Sequence, residues 1–189
     1  MRSLKDCVGK DLQWKGLGFD FNPEEIFYSK DLVARIVWKP EYLISSKKPL
    51  GETLKNSKSF RAEGETKEGK WLFERQGFLF NRKLIIKKSG KIVATCPYSQ
   101  TNKTVEIKLS NEKIFRIKQR NILHPKYSLE TDTGEELISL QVSLIKALGL
   151  KESKKLKIFS AAKSVSELSV LFLIFVYFLS LLTWDTRFI

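Results

Sequence analysis

The chain has 189 residues, of which 34 are basic, 21 acidic, one histidine and two cysteine, giving a formal charge of +13. That length holds one substantial domain with its own core, while a lone His124 and the distant Cys7 and Cys96 exclude a Cys/His zinc site and a disulfide framework. The basic balance points to an anionic partner (phospholipid headgroups, nucleic acid or an acidic protein) or to plain solubility.

The first residues, Met-Arg-Ser-Leu-Lys-Asp-Cys, lack the apolar core of a signal peptide, and Arg2 stands where N-myristoylation needs glycine. A reducing, cytoplasmic compartment is therefore expected. Weak strand signals follow at 14–21 and 26–28. Residues 32–38 are β-rich and stop at Pro40. The Lys-, Ser- and Gly-rich stretch 45–59 predicts a long loop, with weak strand signals beside it at 42–44 and 59–62. Residues 71–73 lead to Gly77, after which 78–80 resume. Residues 84–86 turn through Ser89-Gly90 into 92–95.

The clearest alternation is at 103–109, where Val105, Ile107 and Leu109 face one way and Glu106 and Lys108 the other. Ser110-Asn111-Glu112 turns the chain into 113–120, with Phe115 and Ile117 on one face and Arg116, Lys118 and Arg120 on the other. A hairpin results. Residues 126–130 turn at Asp132-Thr133-Gly134 into 136–142. A short helix is expected over 143–150, closed by Gly149, and a weak strand at 155–159.

Residues 168–184 then run without a charge between Glu167 and Asp185. Ser164 or Ser166 is the expected N-cap, with Glu167 in the first turn. Ser169, Ser180 and Thr183 can bond back to helix carbonyls. A helix apolar on every side must be enclosed, and two enclosures fit. At 1.5 Å per residue the run spans about 26 Å, just enough for a hydrocarbon layer about 30 Å thick, so a C-terminal membrane anchor is one reading. The other is a barrel. About eight strands make a barrel that side chains fill, and a larger one leaves a lumen. Roughly a dozen strand signals, turning every 8–12 residues, would enclose space for one helix.

The expected fold is mainly β: a roughly twelve-stranded antiparallel barrel enclosing the hydrophobic C-terminal helix. Residues 1–29 would pack on or join the barrel, 30–163 form its body and 164–185 its central helix, with the membrane anchor as alternative. Leu168, Leu171, Phe172, Phe175, Phe178 and Leu182 would face barrel core or bilayer.

This pattern resembles the Tubby C-terminal-like superfamily, which includes Tubby proteins, LURP-one-related proteins and phospholipid scramblases. Gly69-Lys-Trp-Leu-Phe-Glu-Arg-Gln-Gly77 looks like the family's early strand pair. Residues 92–95, the basic hairpin 103–120 and Tyr127 with the Asp132-Thr-Gly134 turn follow in the expected order. The resemblance covers about residues 30–185 and implies a barrel skewered by its C-terminal helix. In the scramblase branch that helix has been read both as membrane-spanning and as barrel core. Tubby proteins bind phosphoinositides through basic residues, but no matching motif is present to carry over.

The outward stripe Arg116, Lys118 and Arg120, with Lys108 beside it, is the leading candidate for anionic lipid. Lys87, Lys88 and Lys91 flank a nearby turn, and Lys151, Lys154, Lys155 and Lys157 gather before the apolar run. Each basic residue near an anionic membrane adds roughly 1 kcal/mol, and a solvated strand face is the competing reading. A Cys96–His124 dyad lacks support because Cys96 closes an ordinary β-rich run. No phosphate-binding loop, dinucleotide fingerprint or nucleophile elbow is present, and the spacing around Glu135-Glu136 is not that of a calcium loop. The expectation is a non-enzymatic protein without cofactor or metal, cytoplasmic and peripheral to a membrane. A tail-anchored protein and a basic nucleic-acid-binding module are the alternatives, the latter less supported.

Overall fold

The computed structural model describes residues 1–15, 23–39, 61–76, 82–98, 104–120, 126–143 and 153–185; for 98, 142–143, 153–154 and 181–185 it describes the backbone alone. Twelve strands follow in order: β1 (Asp11–Lys15), β2 (Glu24–Tyr28), β3 (Asp31–Lys39), β4 (Arg61–Thr66), β5 (Gly69–Gln76), β6 (Arg82–Lys88), β7 (Lys91–Tyr98), β8 (Thr104–Leu109), β9 (Ile114–Gln119), β10 (Lys126–Thr131), β11 (Glu136–Ser143) and β12 (Ser153–Ile158). Each pairs with its neighbours in sequence, and β1 pairs antiparallel with β12, so the sheet closes into a barrel without edges. The hairpin read from 103–120 is present as β8 and β9, with Ile107 opposite Phe115 and Glu106 opposite Arg116.

Two strands run differently from expectation. The weak signal at 14–21 corresponds to β1, which begins earlier, at Asp11. The signal at 59–62 corresponds to β4, which continues to Thr66. Its inward residues are Ala62, Gly64 and Thr66, all buried, and such small side chains hide a strand from a hydrophobic pattern. Residues 69–76 form a single strand paired with β4 across Lys67-Glu68. The segments expected at 42–44, 45–59, 78–80 and 144–150 lie outside the described residues, as do residues 16–22; Ser143 ends β11.

The apolar run forms α1 (Leu168–Asp185), inside the barrel. Leu171, Phe172, Leu173, Ile174 and Phe175 are all 0% exposed, so burial goes around the whole circumference. Leu168 and Phe178 are buried too; Leu182 lies in α1, with its side chain outside the described atoms. Among the described residues no helix is long and apolar enough to cross a membrane.

The helix begins differently from the sequence expectation. Leu171 N donates to Glu167 O at 3.1 Å, the first helical bond, which makes Glu167 the N-cap. Ser164 closes a 3₁₀ turn (Ser160–Ser164) instead. Ser166 Oγ donates to Glu167 Oε2 at 2.7 Å, so its hydroxyl serves the carboxylate. Asn111 and Lys113, from the β8–β9 turn, bind Glu167 Oε1 at 2.6 and 3.0 Å. A carboxylate there also suits the positive end of the helix dipole. Burial alone would raise its pKa, but Ser166, Lys113 and Asn111, with its own backbone N–H, hold it at about 2.

One face of α1 fits a seam of the barrel by simple periodicity. Four helical residues rise about 6 Å, close to two strand residues at about 3.3 Å each. Ser169, Leu173 and Tyr177 therefore keep step with every second residue of β4. Ser169 Oγ donates to Glu68 Oε2 at 2.8 Å, next to Thr66. Leu173 lies against Gly64. Tyr177 stacks on Phe73, with centroids 5.2 Å apart, and tilts against Trp38 at 4.9 Å. Of the hydroxyls expected to bond back along the helix, Ser180 does so, to Val176 O at 3.0 Å. Ser169 reaches the barrel wall instead.

The two ends of the barrel differ. Helix α1 enters where strands are joined by short turns, among them Ser89-Gly90 and Asp132–Glu135, with Gly90 and Gly134 at φ +79° and +88°. The N-terminus covers this same end. Arg2 N donates to Leu32 O, Gly9 N to Ile158 O, and Leu4 and Cys7 are buried. Glu68 ties the end together by accepting from Ser3, Thr66 and Ser169. Burial opposes its charge, yet those hydroxyls outweigh burial and lower its pKa. At the opposite rim, where α1 ends, β1, β3, β5, β7, β9 and β11 end and β2, β4, β6, β8, β10 and β12 begin.

Candidate functional site: the basic outer wall

The alternation that sends Ile117 and Leu129 inward sends Lys118, Ser128 and Glu130 outward on adjacent strands, with Lys118 opposite Ser128 and Arg116 opposite Glu130. Three of the expected cations meet here. Lys118 Nζ lies 2.7 Å from Glu130 Oε2, and Arg120 pairs with Glu130 Oε1. Ser128 Oγ donates to the same Oε1 at 2.7 Å. Glu130 is 0% exposed although it points away from the core, because the longer cationic side chains cover it. Arg116 lies 3.8 Å from Glu106 Oε2 and donates to Asp132 O at 3.1 Å. Lys108 is exposed on β8.

Lys87 and Lys88 lie on β6, separated from β9 by β7 and β8. Lys87 Nζ is 2.6 Å from Glu74 Oε2, and Arg61 approaches the other oxygen of that carboxylate at 3.5 Å. Lys88 Nζ donates to Glu68 O at 3.1 Å and sits 4.7 Å from the Trp71 ring centroid. The six candidates therefore form two groups. In one, Lys118 and Arg120 close on Glu130 while Arg116 pairs with Glu106 beside the exposed Lys108; in the other, Lys87 pairs with Glu74 and Lys88 binds the Glu68 carbonyl. Both neutralise part of their own charge.

Glu130 itself was not among the expected site residues. Its signal was present in the alternation of 126–130, which aligns Lys126, Ser128 and Glu130 on one face. Only the register shows which cations that face meets. Lys126 reaches along its strand to Glu136 Oε1 at 3.0 Å.

The electrostatic state of Glu130 follows from opposing effects. Burial favours the neutral acid, but hydrogen bonds from Lys118, Ser128 and Arg120 favour the carboxylate more strongly and hold its pKa at about 2, below the reference of 4.5. A depressed folded pKa stabilises the fold above the unfolded value, and that contribution disappears as pH falls toward the folded value. The melting temperature should therefore fall between pH 4.5 and pH 2 as Glu130 and Glu167 protonate. The Glu130→Gln variant should lose part of that slope in melts followed by circular dichroism. A variant with the parent's slope would show that Glu130 does not contribute.

Both cysteines are core side chains. Cys96 is 0% exposed and faces the core from β7, and burial pushes its thiol pKa up. Burial raises the pKa of Cys7 as well. His124 lies outside the described residues. Among the described residues no group of three or more His, Cys, Asp or Glu side chains could hold a metal ion. Comparison with family models, with curated proteins and with solved structures finds no match for this chain.

Proposed function

We propose that the chain is a non-enzymatic Tubby-like, LURP-one-related barrel that binds anionic phospholipid at a cytoplasmic membrane surface. The filled barrel is what supports this reading. Helix α1 occupies the space where comparable barrels hold a ligand, so recognition falls to the outer surface. The charge of +13 selects an anionic partner for that surface. Single-stranded nucleic acid is the weaker fit, because stacking platforms need exposed aromatic side chains. Among the described residues only Met1 and Ile92 are large, apolar and exposed.

Co-sedimentation with vesicles tests the proposal. The chain should bind phosphatidylcholine vesicles containing phosphatidylserine, ignore pure phosphatidylcholine, and release as salt rises from about 0.05 to 0.5 M, because the Debye length shrinks to a few ångströms. Equal binding to both vesicle types, or to neither, would refute it.

A further inference from the structure

The strand ends at the two rims carry different charge, and this locates the membrane-facing surface within the function proposed above. At the rim where α1 ends, β1, β3, β4 and β5 present Lys15, Lys39, Arg61 and Arg75 within two residues of their ends. There β6, β9, β10 and β12 present Lys83, Arg120, Lys126 and Lys155. Acids at the same depth are fewer: Glu24 and Glu25 on β2, Glu63 on β4, Glu74 on β5 and Glu106 on β8. Glu24 is 2% exposed and accepts from Trp14 Nε1 at 2.6 Å, and Glu25 pairs with Arg35 at 3.4 Å.

The opposite rim is mixed. Asp11, Asp31, Glu65, Glu130 and Glu136 lie within two residues of strand ends there and offset most of the cations at that depth, Lys70, Lys87, Lys88, Lys91, Lys108, Arg116 and Lys157. Carboxylates also neutralise part of the cationic rim, since Lys39 pairs with Glu63 and Arg61 with Glu74, while Arg120 and Lys126 reach toward Glu130 and Glu136 of the other rim. Cations remain in excess over acids at the cationic rim. Lys15, Lys83 and Lys155 there are exposed, and among the described residues none of the three closes an ion pair; Lys15, opposite Glu25, lies 4.7 Å above the Phe27 ring.

We infer that this ring of strand-end cations is the surface that seats on an anionic bilayer, with the barrel axis close to the membrane normal and the N-terminal end pointing away. This inference rests on the membrane-binding function proposed above. Charge complementarity selects the occupant, because cations spread around a ring match a flat, diffuse layer of anionic headgroups better than a compact ligand. The field near such a layer falls within a Debye length. Cations on the near rim therefore contribute to binding, and those a barrel length away do not.

Two charge-matched triple variants test this. K15Q/K83Q/K155Q removes exposed cations from the proposed surface, and K30Q/K91Q/K163Q removes exposed cations from the other end. Both should keep the parent's circular dichroism spectrum and melting temperature. In flotation with phosphatidylcholine vesicles containing phosphatidylserine, the first should lose at least tenfold in partition coefficient and the second less than twofold. Equal losses in both, or a larger loss in the second, would overturn the oriented surface while leaving membrane binding in place. A parent chain that does not bind these vesicles would overturn both the function and its placement.

Discussion

Removal of residues 164–189 is expected to leave a body that no longer folds cooperatively. The described part of the removed segment places Leu168 and every residue from Val170 to Leu179 in the buried core. Full burial of a Val, Leu, Ile or Phe side chain contributes about 1.5–3 kcal/mol. A whole domain keeps a net stability of about 5–15 kcal/mol. Losing this many side chains therefore exceeds that margin, before counting the void left along the axis. Inward residues such as Ile36, Phe73, Leu84, Ile107, Ile117 and Leu140 would then face water or collapse on one another. The truncated chain, purified directly or refolded, should show strong binding of a hydrophobic dye and no sharp thermal transition. A soluble truncation with a cooperative melt near the parent's would show that the barrel does not need its helix. It would also return the apolar run to the membrane-anchor reading.

The fold was legible from the sequence because two of its signals are strong and complementary. Alternation in 103–120 and 126–142 requires a sheet with one apolar face. The run 168–184, apolar all round, requires an enclosure. A closed sheet of about twelve strands satisfies both, and the structure has that arrangement. What stayed hidden depends on register or on small side chains. β4 carries Ala62 and Gly64 at its inward positions, side chains too small to stand out in a hydrophobic pattern. Glu167 reads as an ordinary first-turn acid until Asn111 and Lys113 are seen beside it. The basic stripe reads as free charge until β10 lies alongside and sets Glu130 between Lys118 and Arg120. Alternation reports which face a residue is on; the partner across the strand comes only from pairing. For the same reason the cationic rim was not visible, since Lys15 and Lys155 are remote in sequence and come onto adjacent strands only when β1 pairs with β12.

Substitution of Gly64 should be damaging along the helix seam although it removes no side chain. A Cβ at this position would lie 2.8 Å from Phe73 Cε2 and 2.9 Å from Leu173 Cδ1, inside van der Waals contact with both. Glycine in a strand interior costs entropy and packs nothing, and here it makes room for the helix to approach. Overpacking of this kind costs about 1–3 kcal/mol, occasionally more. The Gly64→Ala variant should lose about 2–3 kcal/mol in denaturant unfolding, and Gly64→Val should lose more. Leu173→Ala alone should lose about 2–5 kcal/mol by opening a cavity. The two faults are complementary, because the methyl added at Gly64 enters the space that Leu173 vacates. The double variant should therefore be more stable than the sum of the single losses implies, by at least about 1 kcal/mol, as expected for residues in contact. Strict additivity would mean that Leu173 does not pack against β4, and that the four-to-two match between α1 and this strand does not set the helix in place.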